Sequence, residues 1–251
     1  MRAVHAILAA GALAAGCTDI DTGPNVATSI EFSTLPFPAV VAGDTLRDTS
    51  GIAAPLRAVV FNSDNDEIVD APVRYAALET VVIVDSITGV LVAGANADTT
   101  ARVVAYVGSL QAAPLRLSLV PRPDSVGPSG AIDTLRYSVI DTTQNISGEL
   151  AVRVVHHGTT DDVPVRDWIV TFALADAADS VRARVVTDNR RPSAADTTSN
   201  LGIAARKVRL FPAGLTSPRD SIVVLAHVRY RSTHVAGSPL RLVLPVVPRV
   251  P

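Results

Sequence analysis

This chain of 251 residues contains two adjacent histidines close to two aspartates, and side chains of these types can bind a metal ion. They stand in the run His156-His157-Gly-Thr-Thr-Asp161-Asp162, and zinc prefers imidazole nitrogens and carboxylate oxygens as ligands. On a strand, however, adjacent side chains point to opposite faces, so His156 and His157 would not easily share one ion. We therefore interpret this run as the solvated end of a hairpin, and we expect neither a metal site nor another cofactor.

A second acidic run, Ser63-Asp-Asn-Asp-Glu67, offers the oxygen ligands that calcium prefers, from Asp64, Asp66 and Glu67. The run lacks the glycine and the distal glutamate of an EF-hand loop. Turns also favour Asp and Asn for backbone reasons alone. The sequence leaves open whether this turn binds calcium.

Trp168 is the single tryptophan, and a tryptophan can stack on a sugar ring. Its parity with Val170, Phe172 and Leu174 instead favours the core of a sheet. No Gly-x-Ser-x-Gly, His-Glu-x-x-His or glycine-rich phosphate loop is present. We expect no catalytic residues and no enzyme. A carbohydrate-binding accessory protein and an unrecognised hydrolase remain alternatives, since a sugar-binding face or converging catalytic groups would show only in a structure.

The N-terminal residues have the features of a secretory signal. Arg2 precedes an uncharged run of 11 residues, Ala6 to Gly16, which is shorter than the roughly 20 residues of a membrane-spanning helix. Such a run is typical of the apolar part of a signal peptide, which we place at residues 1–16. A polar stretch rich in Asp, Gly and Pro follows and predicts a flexible tether at residues 17–27.

The only cysteine of the chain, Cys17, stands directly after this signal. The phrase Leu13-Ala-Ala-Gly-Cys17 resembles a bacterial lipobox, although Leu13 lies one position earlier than the aliphatic residue of that motif usually does. The resemblance implies lipidation of Cys17 by diacylglycerol and a fatty acid such as palmitate, and therefore attachment to a membrane. Thr18, rather than Asp, at the next position implies sorting to the outer membrane. The alternative is a plain secretory signal with a chance cysteine.

The two halves of the chain differ in charge. Residues 17–121 carry 5 arginines and 12 acidic residues, whereas residues 122–251 carry 16 basic and 12 acidic residues. Several basic residues of the second half alternate with apolar ones, so they share an outward face of the predicted strands. These candidates for an anionic-ligand patch are Arg182, Arg184, Lys207, Arg209, Arg229 and Arg231.

The partner of such a patch would be an anionic glycan, lipid headgroups, another envelope protein or the acidic first half itself. The alternative is a solvated basic face without a ligand. We do not expect nucleic acid, because the protein is predicted to be exported and few aromatic residues lie among the arginines. The sequence does not indicate an oligomeric state.

Short runs of period 2 recur along the chain after the tether. Examples are Leu115-Arg-Leu-Ser-Leu119, Val181 to Val185 and Leu240 to Leu244. Val, Thr, Ile and Leu dominate these runs, which are separated by turns rich in Gly, Pro, Asp and Asn. The pattern predicts an all-β protein built from antiparallel sandwiches.

Four phrases of the first half follow one another in a recognisable order. They are Val41-Ala-Gly-Asp-Thr-Leu46, Ala71-Pro-Val-Arg-Tyr75, Gly89-Val-Leu-Val-Ala-Gly94 and Ala101-Arg-Val-Val-Ala-Tyr-Val-Gly108. In this order they resemble bacterial immunoglobulin-like domains of the intimin and invasin type. The second half resembles the same superfamily more loosely, through Val163 to Phe172. The resemblance implies two tandem immunoglobulin-like β-sandwiches in an envelope-exposed stalk, spacer or binding module.

A stretch rich in proline and glycine, Pro121-Arg-Pro-Asp-Ser-Val-Gly-Pro-Ser-Gly130, separates the two halves. We predict a first sandwich at residues 28–121, a linker at residues 122–130 and a second sandwich at residues 131–251. The function that we expect is that of a non-enzymatic cell-envelope lipoprotein, whose modules serve adhesion, spacing or scaffold binding. We expect it on the periplasmic or the outer face of the envelope.

Overall fold

The alternating runs of the sequence form strands in the structure, a computed structural model that describes residues 26–211 and 221–249. The predicted signal peptide, Cys17 and the tether up to residue 25 lie outside the described residues. The strands of the first half are β1 (Ser29–Phe32), β2 (Ala39–Val41), β3 (Ala58–Phe61), β4 (Arg74–Ala77), β5 (Val82–Val84), β6 (Leu91–Ala93), β7 (Thr99–Val107), β8 (Leu110–Gln111) and β9 (Leu115–Val120).

These strands form one five-stranded sheet and two strand pairs around a common core. The sheet has the order β2-β9-β7-β4, with β8 paired to β7, and the pairs are β1-β3 and β5-β6. Pairing is antiparallel except between β2 and β9. In each alternating run, the residues of one parity point inward, as predicted, because the apolar side chains on one face of the strand are buried together. The fully buried side chains of this half include Leu46, Leu56, Leu91, Leu117 and Leu119.

The second half contains twelve further strands and one 3₁₀-helix among its described residues. They are β10 (Ser125–Pro128), β11 (Leu135–Tyr137), β12 (Leu150–His157), β13 (Asp162–Pro164), β14 (Ile169–Leu174), the 3₁₀-helix (Ala177–Val181), β15 (Ala183–Val186), β16 (Ala195–Thr197), β17 (Ile203–Leu210), β18 (Ser221–His227), β19 (Arg229–Tyr230), β20 (Thr233–His234) and β21 (Leu240–Pro248).

Two five-stranded sheets enclose the core of the second half. One has the order β10-β12-β17-β15, with β13 paired to β12, and the other has the order β11-β21-β18-β14-β16. A small hairpin, β19-β20, extends beyond them. Phe172, Ile222, Leu242 and Leu244 are fully buried between the sheets. The chain is thus an all-β protein of β-sandwich architecture, as predicted, and every strand pairing described joins strands of the same half.

The predicted linker needs correction. Residues 122–130 were predicted to connect the sandwiches, but Ser125–Pro128 form strand β10 and pair with β12 of the second half. This strand lies at the edge of its sheet, where a glycine and a proline are tolerated because one side of the strand needs no ladder partner. Only residues 121–124 therefore separate the last strand of the first half from the first strand of the second.

The strand predicted from Val181 also begins later than the alternation indicated. Val181 ends the 3₁₀-helix and is 70% exposed, whereas Arg182 is only 5% exposed. The exposure of these two residues is the reverse of the prediction, because a 3₁₀ turn interrupts the period of 2, whereas Ala183 and Val185 are buried as predicted. The buried guanidinium of Arg182 donates from Nε to Asp179 Oδ1 over 2.9 Å. Within the part of the chain that is described, no helix has the length and apolar character needed to cross a membrane.

Candidate functional site

The adjacent histidines His156 and His157 bind different carboxylates. His156 Nδ1 lies 2.6 Å from Asp124 Oδ2, and His157 Nδ1 lies 2.7 Å from Asp162 Oδ1. Strand β12 ends at His157 and β13 begins at Asp162, so the predicted hairpin end is confirmed. Across residues 26–211 and 221–249, no group of three or more His, Cys, Asp or Glu side chains is placed to hold a metal ion.

The acidic turn that follows β3 is organised by Asn62, which is 6% exposed. Its Oδ1 accepts hydrogen bonds from the backbone N–H groups of Asp64 and Asp66, at 3.0 and 2.9 Å. Asp64, Asp66 and Glu67 are exposed. The Asn and Asp residues of this turn therefore have a backbone role, and the calcium hypothesis gains no support from a ligand cluster.

The six basic residues predicted to form one patch lie in three places. Arg184 and Arg209 are direct cross-strand neighbours on β15 and β17, and their guanidinium carbons lie 5.9 and 5.3 Å from the centre of the Phe211 ring. Lys207, two residues before Arg209, forms an ion pair of 2.9 Å with Asp188. Anion binding by this outward group stays a prediction.

The other three candidates do not join this group. Arg182 is buried against Asp179. Arg229 and Arg231 lie in and after β19, where they adjoin the first half of the chain. The single patch expected from the sequence is therefore not formed. One of the alternatives considered from the sequence, contact between the basic second half and the acidic first half, is realised at Arg231.

Arg231 and Tyr230 of the second half bind the carboxylate of Asp44 in the first half. Tyr230 donates its hydroxyl to Asp44 Oδ2 over 2.7 Å, and the Arg231 guanidinium lies 3.4 Å from both carboxylate oxygens. From the first half, Arg47 donates Nε to Oδ2 over 3.0 Å and Nη2 to Oδ1 over 2.9 Å. Asp44 itself is 8% exposed. We use the name joint for the side chains of Asp44, Arg47, Tyr230 and Arg231 together with Phe37 and Trp168.

The environment of Asp44 keeps its carboxylate ionised. Burial raises the pKa of Asp44, but hydrogen bonds from Arg47, Tyr230, the Thr45 amide and Arg231 outweigh burial and hold the pKa far below its ordinary value. In turn, burial and the hydrogen bond to Asp44 raise the pKa of Tyr230. The phenol therefore stays a neutral donor to a charged acceptor, which is a strong type of hydrogen bond.

Aromatic rings form the apolar part of the joint. The ring of Phe37 lies 4.7 Å from that of Trp168, and the ring of Tyr230 lies 6.3 Å from that of Trp168. Trp168 is 6% exposed and donates Nε1–H to the carbonyl of Arg229 over 3.2 Å. The prediction that Trp168 belongs to a core is confirmed, and part of that core is supplied by the other half of the chain.

Further contacts outside the aromatic cluster link the two halves. Ser118 donates its hydroxyl to Asp167 Oδ2 over 2.6 Å, and Arg166 donates Nη2 to the carbonyl of Thr99 over 2.9 Å. Gly51 approaches Arg231 so closely that a Cβ at this glycine would lie 1.9 Å from the Arg231 carbonyl oxygen. Only a residue without a side chain fits there.

The short connection between the halves is also held in place. Asp124 accepts from the His157 amide over 3.0 Å and from Arg122 Nε over 2.9 Å. Burial raises the pKa of Asp124, but these bonds and the charges of His156 and Arg122 produce a net lowering. The guanidinium of Arg122 lies over the Tyr230 ring at 5.8 Å. The connection therefore packs on the joint.

The turn after β2 places Asp44 at the joint. Gly43 adopts a φ of +74°, which favours glycine, and the Asp44 amide donates to the Val41 carbonyl over 2.9 Å. Leu46 is fully buried and fixes the far side of the turn. Sequence reasoning did not select Asp44 or Tyr230. The available signal was an aspartate inside the otherwise apolar and small phrase Val41 to Leu46.

A groove of about 480 Å³ opens beside the joint. Its floor includes Ala195, Thr171 and His227, which are direct neighbours across strands β16, β14 and β18. Residues on either side of these positions, such as Val170 and Phe172, are buried inside the sandwich, so the floor is the outer face of the sheet. The first half contributes Phe37 to the wall, and Thr49, Ile169 and Arg229 complete the lining.

Two basic side chains, His227 and Arg229, line this groove. His227 Nδ1 is buried and has no hydrogen-bond partner. Burial, followed by the nearby charges of His234 and Arg229, lowers the pKa of His227, so its ring is neutral at pH 7. Arg229 is exposed, and no carboxylate of the described chain forms an ion pair with it. The ring of His234 lies 5.5 Å from that of His227.

No protein-family model matches the chain, and no curated protein sequence matches it. Among solved structures, domains 4 and 5 of the S-layer protein SbsC are similar over 88% of this chain and 98% of theirs, with 13% identity and a TM-score of 0.31. The Yersinia pseudotuberculosis adhesin InvE is similar over 89% of this chain and 61% of its own, with 14% identity and a TM-score of 0.32.

Human protocadherin-24 EC1-2 is similar over 90% of this chain and 100% of that chain, with 15% identity and a TM-score of 0.28. Similarities at these identities and TM-scores assign neither a family nor a function. The fold and the joint define a class: an all-β protein whose two sandwich halves meet through a buried carboxylate and an aromatic cluster.

Proposed function

We propose that the protein is a non-enzymatic lipoprotein of the cell envelope, in which two immunoglobulin-like modules act together as a spacer and binding scaffold. The observation that carries this proposal is the joint. A scaffold must hold its binding surface in a fixed orientation, and the modules can do so only if their mutual angle is fixed. The Asp44 carboxylate, bound from the opposite half by Tyr230 and Arg231, supplies such a constraint.

The geometry of these contacts supports a defined orientation. Rotation that removes Tyr230 and Arg231 would leave the Asp44 carboxylate with only the donors of its own half, Arg47 and the Thr45 amide, so such rotation is disfavoured. The aromatic contact between Phe37 and Trp168 adds buried apolar area on the same side. The modules therefore gain stability only in the relative orientation in which all these groups meet.

The anchor in this proposal is Cys17. Diacylglycerol on its sulfur and an acyl chain on its amino group would provide the several hydrocarbon chains that stable membrane attachment requires. The polar residues that follow would separate the first sandwich from the outer membrane. A fixed pair of modules would then extend a binding surface away from that membrane.

Cell fractionation tests the anchored part of the proposal. Wild-type protein and Cys17→Ser should be expressed in a bacterium that processes lipoproteins, and the mass of the mature N-terminal peptide should be measured. We expect wild type in the membrane fraction with a lipidated Cys17, and Cys17→Ser in the soluble fraction. An unmodified N-terminus at a residue other than Cys17 in the wild type would contradict the proposal.

A further inference from the structure

We propose that the groove beside the joint binds an acidic sugar unit, a ring that carries both hydroxyl groups and a carboxylate, such as a uronic acid residue of an envelope glycan. This inference deepens the scaffold function proposed above by assigning its ligand site. It does not depend on lipidation of Cys17.

The size and position of the groove suit such a ligand. Its volume of about 480 Å³ falls in the usual range for sites that enclose small molecules, and such sites often lie where two domains meet. The floor belongs to the sheet of β14, β16 and β18, and Phe37 of the other half walls it. Because the joint fixes this wall against the floor, the groove is formed before a ligand arrives.

The cationic side of the groove selects an anion. Arg229 is exposed and is not neutralised by a carboxylate among the residues described. A guanidinium presents paired N–H donors that match a carboxylate. Arg229 supplies this positive charge, because the ring of His227, which also lines the groove, is neutral at pH 7. Among the described residues, no acidic side chain lines the groove, so an anionic group entering it meets no like charge from them.

The other polar groups of the groove suit hydroxyl groups of the same ligand. Thr171 lies directly across from His227 on the floor, and Thr49 lies in the lining, so both can donate to or accept from a sugar hydroxyl. Phe37, Ile169 and Ala195 leave apolar surface for the C–H face of a ring.

Binding should be measured on mature full-length protein that carries Cys17→Ser, which removes the acyl chains and leaves both modules intact. The probes are glucuronate, glucose, acetate and inorganic phosphate, titrated by calorimetry and by NMR of the histidine side chains. We expect saturable binding of glucuronate, with His227 resonances shifting, and at least tenfold weaker binding of each other probe. Equal binding of acetate or phosphate, or no saturable binding of glucuronate, would overturn the proposal.

Three variants locate the binding. Arg229→Gln should weaken glucuronate binding at least tenfold, and Ala195→Phe should abolish it by filling the groove from an exposed floor position. The matched control is Arg241→Gln, because Arg241 is an exposed arginine whose cross-strand neighbour is Leu225 and which does not line the groove. Binding in this control should be unchanged. Equal loss in Arg241→Gln, or unchanged binding in the two groove variants, would refute the assignment.

These outcomes are separate from those of the fractionation experiment. A protein that binds glucuronate but carries no lipid would retain the ligand site and lose the proposed anchor. A lipidated protein that fails to bind would retain the anchor and lose the ligand site.

Discussion

We expect Gly51→Ala to open the joint, because a side-chain carbon at this position meets the backbone of the other half of the chain. A Cβ built on Gly51 lies 1.9, 2.0 and 2.6 Å from the carbonyl oxygen, carbonyl carbon and Cα of Arg231. All three are backbone atoms, so no change of side-chain rotamer relieves the contact. Gly51 also has a φ of +84°, a conformation that alanine adopts with strain.

The expected loss of stability has two parts. The left-handed backbone at Gly51 costs about 1–2 kcal/mol for a residue with a Cβ. Forcing an extra carbon into a closely packed contact costs about 1–3 kcal/mol more when the surroundings must shift. The second part falls on the joint, because the only way to remove the clash is to move the turn that contains Gly51 away from Arg231.

Gly108→Ala is the matched control. Gly108 lies in the same half, between β7 and β8, with a φ of +55°, and a Cβ there has no neighbouring atom within 4 Å, so this variant carries the backbone strain without the clash. The assay is chemical unfolding of both variants, together with fluorescence of Trp168, the single tryptophan of the chain. We expect a larger loss of stability and a red-shifted emission for Gly51→Ala alone. Equal stability losses with unchanged emission in both variants would refute the close contact.

Two further predictions concern Asp44, and a third concerns strand β10. Tyr230→Phe removes the 2.7 Å hydrogen bond to Asp44 and should lower the free energy of unfolding by about 1.5–3 kcal/mol. The control Tyr106→Phe, at an exposed tyrosine, should change this free energy by less than about 0.5 kcal/mol. Equal effects of the two substitutions would contradict the role of the hydrogen bond. Because the pKa of Asp44 is held below its ordinary value of 3.8, the contribution of its carboxylate to stability should be complete above pH 3.8 and decline as the pH falls below it. The free energies of unfolding of wild type and Asp44→Asn, measured by denaturation, should therefore become more similar in acid. A difference that does not change with pH would be evidence against this linkage. A fragment of residues 122–251 should unfold cooperatively and be more stable than one of residues 131–251, which lacks strand β10. Equal stability of the two fragments would support the linker at residues 122–130 that the sequence predicted.

The alternation of apolar residues was sufficient to predict the sheets and much of their cores. Leu242 and Leu244 are buried as their parity indicated, and so is Trp168. Period 2 carries this information because one face of each strand must leave water. The period-2 pattern does not show where a strand begins after a 3₁₀ turn. For this reason Val181 and Arg182 have the reverse of their predicted exposure.

Local composition also misled at the boundary between the halves. Gly127 and Pro128 are typical of linkers, yet they occupy an edge strand, where the same residue types are tolerated. Whether such residues form a linker or an edge strand depends on whether a distant part of the chain pairs with them, and local composition does not contain that information.

The joint was beyond local sequence reasoning for a similar reason. Asp44 and Tyr230 are 186 positions apart, and neither belongs to a spaced motif. The charge difference between the halves indicated only that the second half has an excess of arginine that the acidic first half can bind. Tertiary packing selects Arg231 for that contact and leaves Arg184 and Arg209 on an outward face.

The distance between the two sandwiches tests the fixed joint most directly. With Cys17→Ser as background, spin labels on Asp64→Cys and Asn189→Cys would report from exposed turns of the first and second halves. Pulsed electron–electron double resonance should give one narrow distance distribution, which broadens when Gly51→Ala is added and stays narrow with Gly108→Ala. A distribution that is already broad without Gly51→Ala would contradict the account, because the modules would then move independently despite the contacts at Asp44.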